Sequence, residues 1–174
     1  MGVLSGLTDP DVTQYLLRDE GEVVVDEVRH HWAAYGRAVA EFLVGGVVLG
    51  IVPFAKVDAA WLPLLVGLLL WSRAAWLAMV VHMDRFVVTN MRVFRVHGVL
   101  DRRAATMPLS RILDITVSKP VLGRLLGYGH FCFESAAQEQ GLRDIRFVGR
   151  PTERDQKIQR VVQRAGLRGP RLPN

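Results

Sequence analysis

Two long apolar runs constrain the fold of this chain more than any other feature. They cover residues 38–55 and 59–81, and each holds a single charged residue, Glu41 in the first and Arg73 in the second. A helix needs about 20 apolar residues to cross the hydrocarbon core of a bilayer. A helix buried in a soluble domain would carry a polar stripe, and these runs carry almost none. The sequence therefore predicts two transmembrane helices joined by a short turn.

The charge distribution predicts how this hairpin is oriented. Residues 1–81 carry a net charge of −4, and residues 82–174 carry a net charge of +9. Because basic segments next to a membrane stay in the cytoplasm, the basic half is expected there. The turn between the two runs is only a few residues long, so both termini are expected on the cytoplasmic side.

The two intramembrane charges are expected to lie at the same depth in an antiparallel hairpin. An ion pair between Glu41 and Arg73 would leave neither charge uncompensated. Three interpretations remain open: a structural pair near the cytoplasmic interface, part of a proton or ion path, or a contact with another membrane subunit. Gly46 and Gly50 form a GxxxG spacing that permits close approach of a second helix.

The residues after the second run change to the two-residue period of β-strands. Strands are expected in the ranges 86–89, 93–96, 104–108, 111–118, 129–135 and 142–148. A helix is expected from Pro151 to a stop at Gly166, with one apolar stripe made by Ile158, Val161, Val162 and Ala165. The extended stretch 22–31 either pairs with this sheet or lies along the membrane surface.

The order of these segments resembles the bacterial pleckstrin-homology (PH)-like family of small membrane proteins. The similar motifs are the Thr-Asn-x-Arg stretch within 86–92, Pro-Leu-x-x-Ile at 108–112 and the glycine turn at 126–129. The resemblance implies an α+β membrane protein of the bacterial inner membrane. Its expected fold is a two-helix transmembrane hairpin followed by a PH-like bent antiparallel β-barrel with a C-terminal capping helix.

On this basis the chain divides into four predicted parts. They are a cytoplasmic N-terminal segment with a short helix at 9–17 (1–31), the hairpin (32–82), the PH-like domain (83–166) and a disordered basic tail (167–174).

Five arginines that follow the second run are the candidate lipid- or partner-binding residues. These are Arg85, Arg92, Arg95, Arg102 and Arg103. Each basic residue near an anionic leaflet contributes about 1 kcal/mol of attraction. Alternatively, they are solvated strand faces and topology signals. Eukaryotic PH domains hold inositol lipids with a lysine-rich loop in their first strand pair. The corresponding strand pair here, 86–89 and 93–96, lacks such a loop, so specific recognition of those lipids is not expected.

No catalytic, metal or cofactor site is expected. His130, Cys132 and Glu134 share a strand face, but no further His or Cys ligand lies nearby, and an exposed surface is the favoured interpretation. Cys132 is the single cysteine, which excludes an internal disulfide. No phosphate loop, HExxH motif or paired-carboxylate arrangement is present. Nucleic-acid binding is not expected either, because the membrane accounts for the basic charge.

The sequence favours a non-enzymatic, membrane-anchored adaptor that binds a protein partner or anionic lipid headgroups at the cytoplasmic face. The alternative is an accessory structural subunit of a larger transporter or membrane enzyme. An accessory subunit would pack its small residues Gly45, Gly46, Gly50 and Gly67 against another integral membrane protein. An adaptor would use the arginines, a sheet edge or the groove beside the final helix.

Overall fold

A computed structural model of the chain describes residues 12–135, 142 and 144–164. The helices in this part of the chain are α1 (Gly36–Gly50), α2 (Trp61–Met83), α3 (Val121–Leu126) and α4 (Pro151–Arg164). The strands are β1 (Val24–Arg29), β2 (Arg85–Thr89), β3 (Arg92–His97), β4 (Arg103–Pro108), β5 (Ile112–Ser118), β6 (Tyr128–Ser135) and β7 (Asp144–Gly149). The predicted tail 167–174 and the first residues of the predicted helix 9–17 lie outside the described residues.

The strands form two antiparallel sheets in an α+β arrangement. The first sheet has the order β1-β2-β3-β4 and the second has the order β5-β6-β7. Strand β1 precedes the two apolar helices and pairs with β2, which follows them, so that Arg29 lies opposite Arg85 and Val24 lies opposite Thr89. Of the two alternatives for the stretch 22–31, the structure has the one in which it joins the sheet. The apolar helices are therefore an insertion between two adjacent strands.

The described residues do not form the closed barrel that the resemblance implied. After Pro108 the chain turns through a short 3-10 helix, Leu109–Arg111, and β5 then begins the second sheet. The sheets meet where His30 forms an isolated bridge with Val148 and where the His31 N–H donates to the Phe147 carbonyl at 2.6 Å. Among the described residues, β4 and β5 share no ladder, so the seven strands remain two sheets joined at one corner.

The main hydrophobic core lies between the two sheets and is covered by α4. It includes Phe86 from β2, Phe131 from β6 and Ile145 from β7. Helix α4 contributes three residues of the predicted stripe, Ile158, Val161 and Val162, and its fourth, Ala165, lies outside the described residues. The N–H that Pro151 lacks is not needed at the first position of α4. This packing fixes α4 against the sheets.

A second, smaller core covers the other face of the first sheet. Val12, from a short 3-10 helix near the N-terminus, packs with Val87, Phe94 and Val96. All five residues of β2 are therefore buried. The two-residue period did predict a strand here, but both of its faces are covered.

Helices α1 and α2 pack against each other in antiparallel fashion. Their contacts run from Glu41 near Arg73 to Leu49 against Gly67. Between these lie the stacked rings of Phe42 and Trp71, whose centroids are 5.1 Å apart, and the Trp71 Nε1–H also donates to the Phe42 carbonyl at 3.1 Å. A Cβ at Gly45 would lie 2.7 Å from Trp71 Cδ1, so the small side chain is what permits this approach.

Both apolar segments, Trp32–Phe54 and Trp61–Met83, are long and apolar enough to cross a membrane by length and composition. Only 11% of each segment's most apolar stretch is buried within the protein. A core helix of a soluble protein would be mostly buried. Their outward faces carry exposed side chains such as Leu43, Val47 and Leu69.

Replacing Gly45 by Leu should separate α1 from α2, whereas the same change at the adjacent Gly46 should be tolerated. A side chain at Gly45 meets Trp71 and Leu70, and a Cβ at Gly46 meets nothing within 4 Å. We expect Gly45→Leu to lower the free energy of unfolding by about 1–3 kcal/mol. Thermal unfolding of the two purified variants in one detergent measures the difference. Equal stability of the two variants would contradict this packing.

Candidate functional site

The strand register gives the first sheet two distinct ends. Strand β2 starts beside the end of α2, so Arg29, Arg85 and Val96 form a row at the helix-proximal end. The β3–β4 turn, residues 98–102, lies at this same end, because His97 pairs with Arg103. Gly98 adopts a φ of 104°, and a Cβ there would lie 1.9 Å from the Asp101 carbonyl oxygen, so the turn requires glycine. Thr89 and Arg92 lie at the far end of the sheet.

A network of ion pairs holds the helix-proximal end together. We call His30, Asp84 and Arg95 the junction network, because His30 links β1 to the first apolar segment and Asp84 links α2 to β2. The Arg95 guanidinium donates to both carboxylate oxygens of Asp84, at 2.8 and 2.5 Å. His30 Nε2 lies 2.9 Å from Asp84 Oδ2, and His30 Nδ1 lies 2.7 Å from the Arg146 carbonyl oxygen of β7. The network therefore connects both sheets to the bases of both apolar helices.

The electrostatics of the junction network favour the ionised carboxylate. Burial raises the pKa of Asp84, but hydrogen bonds and positive charge from Arg95 and His30 outweigh it, and the net pKa is well below its ordinary value. The same hydrogen bond to Asp84 raises the pKa of Arg95 despite burial. Each of the two His30 ring nitrogens faces an acceptor oxygen. An open groove of about 370 Å³ adjoins the network, and Val80, Arg95 and Arg146 are among its lining residues.

A second cluster fixes Arg92 at the far end of the sheet. Arg92 Nε and Nη2 donate to the two carboxylate oxygens of Glu22 at 2.9 and 3.0 Å, and Nη2 also donates to the Tyr15 carbonyl at 2.7 Å. Glu22 is buried and also accepts from the Thr89 hydroxyl at 2.8 Å. Burial raises the pKa of Glu22, but the hydrogen bonds that it accepts outweigh this effect, so the net pKa is lower than its ordinary value. Arg92 thus binds the N-terminal segment to the sheet.

The other predicted arginines lie at the helix-proximal end. Arg85 is buried, and its Nη1 lies 3.9 Å from Glu27 Oε1. Arg103 is exposed and pairs with Asp101 at 3.0 Å in the β3–β4 turn. Arg102 is half-buried in the same turn, beside the exposed Leu100. The structure therefore brings Arg85, Arg102 and Arg103 to one end and leaves Arg92 at the other.

The residues predicted within the apolar helices also have defined places. Arg73 Nε lies 3.6 Å from Glu41 Oε2, and Arg37 Nε lies 3.3 Å from Glu41 Oε1. The carboxylate therefore has two cationic neighbours, one from each helix region. Cβ atoms at Gly46 and Gly50 would meet nothing within 4 Å, so these two glycines are not used in the contact between α1 and α2.

The strand face with His130 and Cys132 has a structural role. His130 Nδ1 accepts a hydrogen bond at 3.1 Å from the N–H of Phe147. Phe147 has a positive φ of 55° where the pairing of β6 with β7 is irregular. Burial and the charge of Arg146 lower the pKa of His130, which favours the neutral ring that can accept this bond. Within the described ranges, no three His, Cys, Asp or Glu side chains group as metal ligands.

Sequence reasoning missed a surface formed by α3 and the residues around it. We call this surface, made of residues 119–127 with Arg150, the α3 corner. Val121, Leu122 and Leu125 are 83%, 63% and 81% exposed. Beside them lies an open groove of about 280 Å³ whose lining includes the cations Lys119, Arg124 and Arg150. The signal in the sequence was the stretch KPVLGRLLG, where four apolar residues and two cations lie between two strands.

The α3 corner lies next to the base of the first apolar segment. Tyr128, which directly follows the corner, has its ring centroid 5.6 Å from that of His31. His31 immediately precedes Trp32, where the first apolar segment begins. A Cβ at Gly149 would lie 3.6 Å from His31 Cδ2, so the end of β7 is equally close.

A family model described as Bacterial PH domain matches residues 33–166. No curated protein and no solved structure matches the chain.

Replacing Asp84 by Asn should strongly destabilise the protein. The change leaves the partly buried Arg95 without its charged partner, and we expect a loss of about 3 kcal/mol in the free energy of unfolding at neutral pH. Asp101→Asn is the matched control, because its pair with Arg103 is exposed and should contribute less than about 1 kcal/mol. Denaturant unfolding in detergent, followed by circular dichroism, compares both variants with the parent protein.

The pH dependence separates loss of charge from a change of packing. The pKa of Asp84 is lower in the folded protein than the ordinary value of 3.8, so its contribution is fully present above that value and is lost as the pH falls below it. The stability difference between the parent protein and Asp84→Asn should therefore shrink below about pH 4. A difference that stays constant down to pH 3 would contradict the ionic account.

Proposed function

The chain belongs to the bacterial PH domain family, and from this membership we propose that it is a non-enzymatic adaptor anchored in the bacterial inner membrane. Its two apolar helices serve as the anchor, and its sheets serve as a binding module at the cytoplasmic face. Protein partners or anionic lipid headgroups are the proposed ligands.

The observation that carries this proposal is the pairing of β1 with β2 across the apolar insertion. Because these strands are hydrogen-bonded neighbours, α1 must begin and α2 must end on the same side of any bilayer that the helices cross. The apolar faces of α1 and α2 are exposed, and apolar surface of this extent is unfavourable in water but favourable in a bilayer. The net charge of +9 after residue 81 favours the cytoplasm for the sheets, since cationic segments are retained there.

The junction network supports a fixed orientation of the domain on its anchor. Asp84 alone separates α2 from β2, and its carboxylate is bound by Arg95 and by His30 at the other helix base. With the helices in a membrane, the helix-proximal end faces the headgroups. Arg85, Arg102 and Arg103 then lie toward the anionic leaflet, and Arg95 lines the groove beside α2. Arg92 lies away from it and stabilises the N-terminal segment.

An extended segment of a partner protein has a suitable docking edge at β5. Among the described residues, β5 is hydrogen-bonded to β6 and to no other strand, and Leu113 is 63% exposed. Strand addition to the edge of a sheet gives affinity through backbone hydrogen bonds, and an exposed apolar side chain adds a contact. Leu113 lies at the end of β5 opposite Lys119, so this edge extends away from the α3 corner.

One observation favours the alternative of an accessory subunit. Gly45 and Gly67 are used within the hairpin, while Gly46 and Gly50 leave a flat outward strip on α1. Small residues allow close packing between membrane helices. A helix of another integral membrane protein would pack against this strip. The ion pairs of Glu41 with Arg37 and Arg73 would then stabilise the helix pair itself.

Accessibility of single cysteines tests the anchor and its direction. In a Cys132→Ser background, Lys56→Cys lies between the two helices and Glu134→Cys lies on β6. A membrane-impermeant maleimide should label Lys56→Cys in intact cells, and Glu134→Cys only after permeabilisation. Labelling of Glu134→Cys in intact cells, or release of the protein by a carbonate wash, would refute the proposed topology.

Site-specific photo-crosslinking in native membranes separates adaptor from accessory subunit. A photoreactive residue at Thr116 on β5 should capture a protein, and Leu113→Asp in the same chain should abolish the capture because it places a charge on the docking edge. The same probe at Asp101 is the control for random collisions. Capture from Gly46 with none from Thr116 would favour the accessory subunit and reject the β5 edge.

A further inference from the structure

Helix α3 is built so that its apolar side chains point outward. Gly123 is the buried residue of this six-residue helix, and a Cβ there would lie 2.5 Å from the Tyr128 carbonyl oxygen. The missing side chain lets the helix lie directly on the start of β6. Val121, Leu122 and Leu125 consequently face away from the domain. An isolated exposed leucine is ordinary in a soluble protein, but adjacent exposed apolar side chains on one short helix indicate an interaction surface.

The side chains around this apolar surface are mostly cationic. Lys119 Nζ lies 2.7 Å from the Thr152 hydroxyl, which positions its charge at the groove. Arg124 is exposed on α3, and Arg150, also exposed, lies 3.8 Å from Glu153. Among the lining residues of the groove, three cations face this single carboxylate. The groove therefore suits an anionic group such as a phosphate.

The position of the corner selects one occupant. Tyr128, which directly follows the corner, has its ring centroid 5.6 Å from that of His31, at the level where the first apolar segment begins with the exposed Trp32. An apolar surface with cations beside it is complementary to the boundary between acyl chains and anionic headgroups. Amphipathic helices that lie at this boundary bury their apolar face about 5–10 Å deep. A second copy of this chain would bring like charges together at the same surface, which disfavours self-association.

We propose that the α3 corner is a second membrane contact, distinct from the two apolar helices. Val121, Leu122 and Leu125 insert into the leaflet in which α1 begins, while Lys119, Arg124 and Arg150 bind the phosphates of anionic lipids. This inference rests on the proposed function, because it requires α1 and α2 to span the bilayer. The α3 corner would hold the second sheet at the membrane surface. The junction network already holds the first sheet at the bases of the two helices.

Fluorescence depth measurements on the full-length protein test this contact. In the Cys132→Ser background, an environment-sensitive fluorophore is attached to Leu125→Cys, Leu113→Cys or Leu69→Cys, each in nanodiscs that hold one chain. The nanodiscs contain either phosphatidylcholine alone or a mixture with phosphatidylglycerol, and carry spin-labelled lipids as quenchers. Leu113, also exposed but at the opposite end of β5, is the matched control. Leu69, exposed in the middle of α2, reports insertion of the anchor.

The expected result is quenching at Leu125 and Leu69 and none at Leu113, with stronger quenching at Leu125 in the anionic discs. Removing one cation, as in Arg124→Gln, should lower the ratio of docked to undocked domain about fivefold at low salt. Quenching at Leu69 without quenching at Leu125 would overturn the second contact and leave the anchor intact. Absence of quenching at Leu69 would overturn the anchor and, with it, this inference. A blue shift at Leu125 that follows protein concentration in lipid-free detergent would assign the surface to a second copy of the chain.

Discussion

The hydrogen-bonded pairing of β1 with β2 is the constraint on which the rest of the architecture depends. These strands are separated in sequence by both apolar helices, yet Arg29 and Arg85 lie directly opposite each other. Two like charges in such a position repel, and Glu27 lies within ion-pair distance of both. The adjacent Asp84 is bound by His30 and Arg95. Several buried or half-buried ion pairs thus stabilise the short stretch where the helices join the sheets.

The distribution of ion pairs also changes what the basic composition means. Several arginines of the second half form ion pairs within the domain. Examples are Arg92 with Glu22, Arg95 with Asp84, and Arg154 with Asp26. The acidic partners Glu22 and Asp26 come from the N-terminal half, so the charge asymmetry along the chain becomes attraction across the fold. Of the five arginines first considered as binding residues, Arg103 is well exposed and pairs with Asp101, whereas the equally exposed Arg124 and Arg150 lie elsewhere, at the α3 corner.

The sequence was informative where a pattern is local. The apolar runs gave both long helices, the two-residue period gave the strands, and the stripe of Ile158, Val161 and Val162 gave the face of α4. Local patterns do not encode partners far along the chain, so neither the split into two sheets nor the cover that Val12 gives to the outer face was predicted. The ion-pair partners of Arg92 and Arg95 were missed for the same reason. Helix α3 was missed because its six residues are too few for a periodic pattern to show which side of the helix is buried.

The insertion of the hairpin within the first sheet has a consequence for the order of synthesis and folding. Strand β1 leaves the ribosome well before its partner β2, and only residues beyond both apolar helices can complete the ladder. Association of α1 with α2 brings the two strand ends together and removes most of the loop-closure cost of pairing residues so distant in sequence. Strand β1 therefore cannot pair with β2 until α1 and α2 have been synthesised. A chain in which α1 and α2 do not pair cannot complete its first sheet, so the assembly of the two helices must come before the completion of that sheet.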